Sequence, residues 1–146
     1  MTTLFTSLQE IKDFKPCQDG WNRALAIYRP LGELIPLREF AVVSTFADFC
    51  WLLGKRKTEI AIAVRAAVKC ANSVPLLKHT QYAARFNQPS VAYIDAAAHT
   101  AAAAADAAAY AVRAADDDAG EAAMASQRAK NMQFLLEEIA SWEAAI

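Results

Sequence analysis

The chain has 146 residues, a size that suits one domain with a sizeable core. Its hydrophobic fraction of 55%, inflated by alanine, argues against disorder, and its formal net charge of -1 leaves no overall basic field to draw nucleic acid. Its three cysteines, Cys17, Cys50 and Cys70, are odd in number and not closely paired, which argues against a disulfide framework and fits a reducing compartment.

The opening stretch, "MTTLFTSLQEIKDF", lacks the basic segment and apolar run of a secretory signal. Asp95, His99, Asp106 and Arg113 interrupt the alanine-rich tract, which argues against a membrane span. The expectation is a cytoplasmic protein.

Almost nothing reads as a strand. In "TSLQEIKDF", Ser7 and Glu10 have the spacing of a capping box, and Leu8, Ile11 and Phe14 then share one helix face. "KPCQDGWNRALAIYRPLG" predicts a helix from Pro16 or Asp19. Trp21, Leu25 and Tyr28 recur at helical spacing, Ala24 and Ile27 widen the stripe, and Pro30 and Gly32 supply the stop. "IPLREFAVVSTFADFCWLLGK" predicts two short helices. Thr45 with Asp48 caps the second, Phe46, Phe49, Cys50 and Leu53 form its buried side, and Gly54 ends it. "TEIAIAVRAAVKCANSVP" alternates like a strand over "IAIAV". The continuing alanines, with Arg65 and Lys69, favour a helix bounded by Pro75, with Ile60, Val64, Ala67 and Ala71 on one side. "LLKHTQYAARF" predicts a further helix ending near Asn87–Pro89.

Two long helices then follow. The first begins at Pro89 or Ser90 and carries Val91, Ile94, Ala98, Ala101, Ala105, Ala108 and Val112 along one seam. The second begins after Asp116, Asp117 and Asp118, with Asp118 and Glu121 as a capping box, and puts Ala125, Met132, Leu135, Leu136, Ile139 and Trp142 on its apolar side. Alanine has the highest helix propensity, loses no rotamer entropy and lets backbones approach closely. The alanine helix is therefore expected to be a close-packed strut. Larger groups, among them Trp21, Trp51, Phe134, Leu135 and Trp142, must supply much of the hydrophobic drive. The fold class expected is all-α: a compact multi-helix bundle with short N-terminal helices and two long C-terminal helices. The whole chain, 1–146, reads as a single helical domain.

Three stretches, "FKPCQDGW" (Phe14 to Trp21), "FADFCWLLG" (Phe46 to Gly54) and "AVRAAVKCANSV" (Ala63 to Val74), followed by the alanine-rich tail, carry a resemblance covering most of the chain. The succession resembles small, alanine-rich helical proteins of bacteria and phages related to the Imm5-like immunity protein families. Their helix-entry step corresponds to Asp19, Gly20 and Trp21. This chain departs from them in the Phe46–Ala47–Asp48 step and in a compact loop around Asn87 to Ser90. The resemblance implies protein binding and inhibition, as in neutralising a toxin or a bacterial defence complex, and transfers no catalytic residue.

Candidate chemistry is sparse. Asp95, His99 and Asp106 share roughly one side of a helix and offer metal-ligand types, but two turns spread them; a polar stripe is the plainer reading. Cys50 and Cys70 sit among apolar neighbours as small buried residues. Cys17 lies near a helix start, where the helix end favours a thiolate and Asp19 opposes it. No cofactor motif is present: "GKRKTE" lacks the full phosphate-loop pattern. Possible interface residues are Lys55, Arg56 and Lys57, the mixed Tyr82 and Arg85 patch with Phe86, and the acidic Asp116, Asp117 and Asp118. The expectation is a non-catalytic inhibitor or immunity-like protein that occupies the surface of a bacterial protein or defence complex. Its alternatives are a phage anti-defence protein that inhibits a CRISPR effector, a nucleic-acid-associated regulator, an enzyme with groups assembled across helices (His99 and Cys17 foremost), and a purely structural protein.

Overall fold

The computed structural model describes residues 2–73, 94–114 and 120–146. Its first element is a strand that the sequence pattern does not announce. β1 (Phe5–Ser7) pairs antiparallel with β2 (Leu34–Pro36), with Phe5 opposite Pro36, Thr6 opposite Ile35 and Ser7 opposite Leu34. Each strand has three residues, too few for a period of two to show. Thr6 and Ile35 point inward and are buried, while Phe5 and Leu34 are exposed.

The rest of the regular structure described is helical. Seven helices are present among the described residues: α1 (Leu8–Asp13), α2 (Gln18–Leu31), α3 (Leu37–Val43), α4 (Phe46–Arg56), α5 (Ile60–Asn72), α6 (Ile94–Ala114) and α7 (Gly120–Ala145). The shorter helices lie N-terminal and the two long ones C-terminal, packed strongly on each other. The helix expected over "LLKHTQYAARF", the start of α6 at Pro89 or Ser90, and Asp116 to Asp118 lie outside the described residues.

Local chemistry sets the helix ends. The Ser7 hydroxyl accepts from the Glu10 N–H at 3.1 Å, and the Thr45 hydroxyl accepts from the Asp48 N–H at 3.0 Å. α2 starts at Gln18, with the Cys17 sulfur accepting from the Gly20 N–H at 3.4 Å. Pro30 sits within its last turn, and Gly32, at φ 96°, closes it. The stop expected at Gly54 falls later. Gly54 is buried inside α4, and the helix runs on to Arg56. Lys57 ends it at φ 68° and ψ -48°, in a tight turn where the Thr58 N–H donates to the Arg56 carbonyl at 2.8 Å.

α6 packs on α4, α5 and α7. Among its described side chains, the buried ones are all alanine: Ala101, Ala104, Ala105, Ala108 and Ala109. α5 packs against it and buries Ala63, Ala66, Ala67, Cys70 and Ala71, with Cys70 clustered on Ala105 and Ala108; "IAIAV" is helical and its helix is covered nearly all round. The bulk of the core comes from elsewhere: Phe49, Leu52, Leu53, Ile62, Leu135 and Ile139 are fully buried. Of the large groups expected to drive burial, Leu135 does so, while Trp21, Trp51, Phe134 and Trp142 are half-buried at its edges.

On α7, Leu135 and Ile139 are buried as expected and Met132, Leu136 and Trp142 pack against the core, but polar residues share that side. Ala125 is exposed and Met124 buried, and the buried seam includes Gln127, Asn131, Glu138 and Glu143. Each has a partner. Gln127 donates to the Ser73 hydroxyl at 2.8 Å and to Asn131 at 3.0 Å, and Asn131 donates to the Ala105 carbonyl at 3.0 Å. Glu138 pairs with Lys69 at 3.0 Å, while Glu143 accepts from the Leu4 N–H at 2.8 Å and from Arg38 at 3.1 Å. Paired this way, the seam fixes how α7 sits against its neighbours. At its start, a Cβ on Gly120 would lie 2.8 Å from the Arg113 carbonyl oxygen, so the close meeting of α6 and α7 needs glycine there. No described helix is long and apolar enough to cross a membrane.

Candidate functional site

A groove of about 370 Å³ opens between α2, α4 and α6. Its floor is apolar. α1 supplies Ile11, α2 supplies Ala24 and Ile27, α3 supplies Phe40, α4 supplies Trp51 and α6 supplies Ala102. These positions are the inward stripes of amphipathic helices, which is why the floor excludes charge. An aromatic run stiffens it. Phe40 stacks at a tilt between Tyr28 (6.0 Å) and Phe49 (6.4 Å), and Phe14 meets Trp51 edge to face at 6.4 Å and 81°.

The mouth is polar. Cys17, Arg23, Asp48, Lys55 and His99 line it, with Ala47 exposed beside them. Arg23 grips Asp48 with two parallel bonds, Nε to Oδ2 at 2.7 Å and Nη2 to Oδ1 at 2.8 Å. That pair ties α2 to α4 across the groove. The Asp48 hydrogen bond and charge also raise the Arg23 pKa above its ordinary value.

A second pair braces the groove from beneath. Arg56 lies 3.2 Å from Glu10 and 3.6 Å from Glu59. Glu10 also accepts from the Thr6 hydroxyl at 3.1 Å, and that hydroxyl accepts from Tyr28 at 3.2 Å. The chain of contacts joins β1, α1, α2, α4 and the start of α5. Burial pushes the Tyr28 phenol up to about 12.

The expected basic cluster is thus divided. Lys55 and Lys57 are exposed, with Lys55 on the groove, whereas Arg56 turns inward and its Nη1 is buried without a hydrogen bond. Its guanidinium is committed to holding helices together. Tyr82, Arg85, Asp116, Asp117 and Asp118 lie outside the described residues.

The remaining candidates separate. His99 and Asp106 are both exposed on α6, and the Asp95 side chain lies outside the described set. Among the described residues, no three His, Cys, Asp or Glu side chains gather as a metal site requires. Cys50 and Cys70 are buried, and desolvation raises both thiols, Cys70 to about 12. Cys17 is exposed at the groove. The groove also brings Cys17 and His99 to one site, although their helices are far apart in sequence.

Sequence reasoning missed the groove itself and the Arg23–Asp48 clamp. The partners are 25 residues apart on different helices, and no local spacing rule connects them. The only signal was the inward stripe on each helix, which reads equally well as closed core. Comparison with family models, with curated proteins and with solved structures gives no match. The immunity-protein resemblance rests on the three sequence stretches alone.

Proposed function

We propose that this chain is a binding protein without turnover, which inhibits a bacterial partner by occupying its surface through the groove between α2 and α4. The observation that carries this reading is the make-up of the groove: an aromatic and aliphatic floor under an exposed polar mouth with Lys55 at its edge. Interfaces draw most of their energy from apolar anchors buried in such a recess, with polar groups at the rim. The volume of about 370 Å³ accepts one or two large side chains of a partner.

Covalent catalysis at Cys17 would need a base in hydrogen-bond reach of its sulfur. The hydrogen bond found at the Cys17 sulfur comes from the Gly20 N–H, a capping role. The immunity-like resemblance supports the same reading, and a phage anti-defence role is one specific version of it. The test uses the full chain and its Ala47→Trp variant as bait in extracts of the host. Ala47 is exposed at the mouth, so the added ring fills the groove without entering the core. A specific partner held by the wild type and lost by the folded variant supports the reading. Equal capture by both removes the groove as the binding face.

A further inference from the structure

We propose that the groove receives an acidic, amphipathic segment of the partner protein, with an apolar side chain on the Ile11–Phe40–Trp51 floor and carboxylates on the lysines at the ends of the mouth. This rests on the groove being the binding face and names the chemistry that fits it.

Charge is the first argument. A shallow depression lined by Lys12, Lys15, Pro16, Gln18 and Trp21 adjoins the groove at Pro16. Among the described residues lining the two, Arg23, Lys55, Lys12 and Lys15 are cations and Asp48 is the one carboxylate. Arg23 already occupies both Asp48 oxygens. Lys12, Lys15 and Lys55 are exposed and form no ion pair among the described residues. Because the whole chain is at -1, this excess of positive charge is local to the site. Asp13 and Asp19 flank the Lys12–Lys15 end, which makes Lys55 the stronger of the two anchors.

Shape selects a partner segment over a small ligand. Cys17, Ala47, Lys55 and His99 are exposed around the mouth, so an occupant keeps an open outer side. Small-molecule sites bury roughly 70–90% of their ligand. An amphipathic segment brings its own outer wall and needs only its apolar face covered, as in helix-in-groove recognition.

The experiment uses synthetic amphipathic peptides with Leu and Phe at helical spacing. One carries Glu at the remaining positions and the other carries Lys. Binding to the full chain is followed by calorimetry at low salt and by protection of Cys17 from alkylation; with Cys50 and Cys70 buried, Cys17 reports on the groove alone. The Glu peptide should bind and slow alkylation, and the Lys peptide should bind at least about tenfold more weakly. Lys55→Glu should weaken the Glu peptide by roughly three- to tenfold, with Lys55→Gln in between, and both losses should shrink at high salt. Equal binding of the two peptides with Cys17 protected would overturn the acidic occupant and leave the groove reading intact. Protection by decanoate with none from either peptide would overturn the partner segment in favour of a small amphiphile. Peptide binding unchanged by Ala47→Trp would place the contact outside the groove, against both proposals.

Discussion

Where α5 meets α6, the interior is built chiefly of alanine; where α2, α3 and α4 meet, it is built of Tyr28, Phe40 and Phe49 with Ile and Leu around them. Small side chains let two backbones lie close and leave little to shape a recess, so the alanine seam acts as scaffold. Large side chains hold the short helices further apart. Between them the groove remains, its walls tied by Arg23–Asp48 and Arg56–Glu10. Close packing and an open recess are thus divided between two parts of one fold. Composition draws the eye to the alanine tract, yet among the described residues that helix gives the recess only His99 and Ala102, and the rest of its lining comes from the shorter helices and the Pro16–Cys17 turn.

The largest loss is expected on the aromatic side. Phe49 is fully buried, and Phe49→Ala should cost about 3–5 kcal/mol in denaturant unfolding. A loss below about 1 kcal/mol would mean that this layer does not carry the core. On the alanine side the damaging change is addition. Ala105 is buried and its carbonyl accepts from Asn131, so Ala105→Leu should cost about 1–3 kcal/mol through overpacking. An unchanged unfolding midpoint would show that the seam is looser than described.

Smaller effects sharpen the contrast. Tyr28→Phe should remove about 1 kcal/mol at neutral pH, the value of its bond to Thr6. Its pH signature is more specific. Burial raises the Tyr28 phenol from 10.0 to about 12, so the folded state keeps the proton that the unfolded state releases. Stability is unaffected by this group below pH 10 and falls as pH rises from 10 toward 12. The Tyr28→Phe variant should lose less stability over that interval than the wild type, and an identical decline would assign the alkaline loss to other groups. Last in size, Ala103→Leu lies on the exposed side of α6 and should change stability by no more than about 0.5 kcal/mol. A larger loss would place Ala103 in a contact.

Local signals were the legible part of the fold. The caps at Ser7 and Thr45, the close-packed strut and the two long helices follow from propensity and spacing. Gly54 was misread because glycine is common at helix ends yet also occurs inside helices, and here it is buried within α4. The seam of α7 was hidden because its Gln127, Asn131, Glu138 and Glu143 are polar, and an apolar count cannot register a polar side chain that finds its partner on another helix. The β-ribbon was too short to leave a pattern. The groove was illegible for a related reason: residues from Ile11 to Ala102 build it, and their meeting is a product of tertiary packing.

The most direct test of the division between scaffold and binding surface is the alkylation rate of Cys17, measured in the free chain and in its complex with a captured partner. Cys17 is the exposed thiol at the groove, and the other two cysteines are buried. Binding through the groove predicts that Cys17 reacts readily in the free chain and is protected in the complex, with Ala47→Trp abolishing the complex. A stable complex in which Cys17 reacts as fast as in the free protein would contradict the account and move the binding face elsewhere.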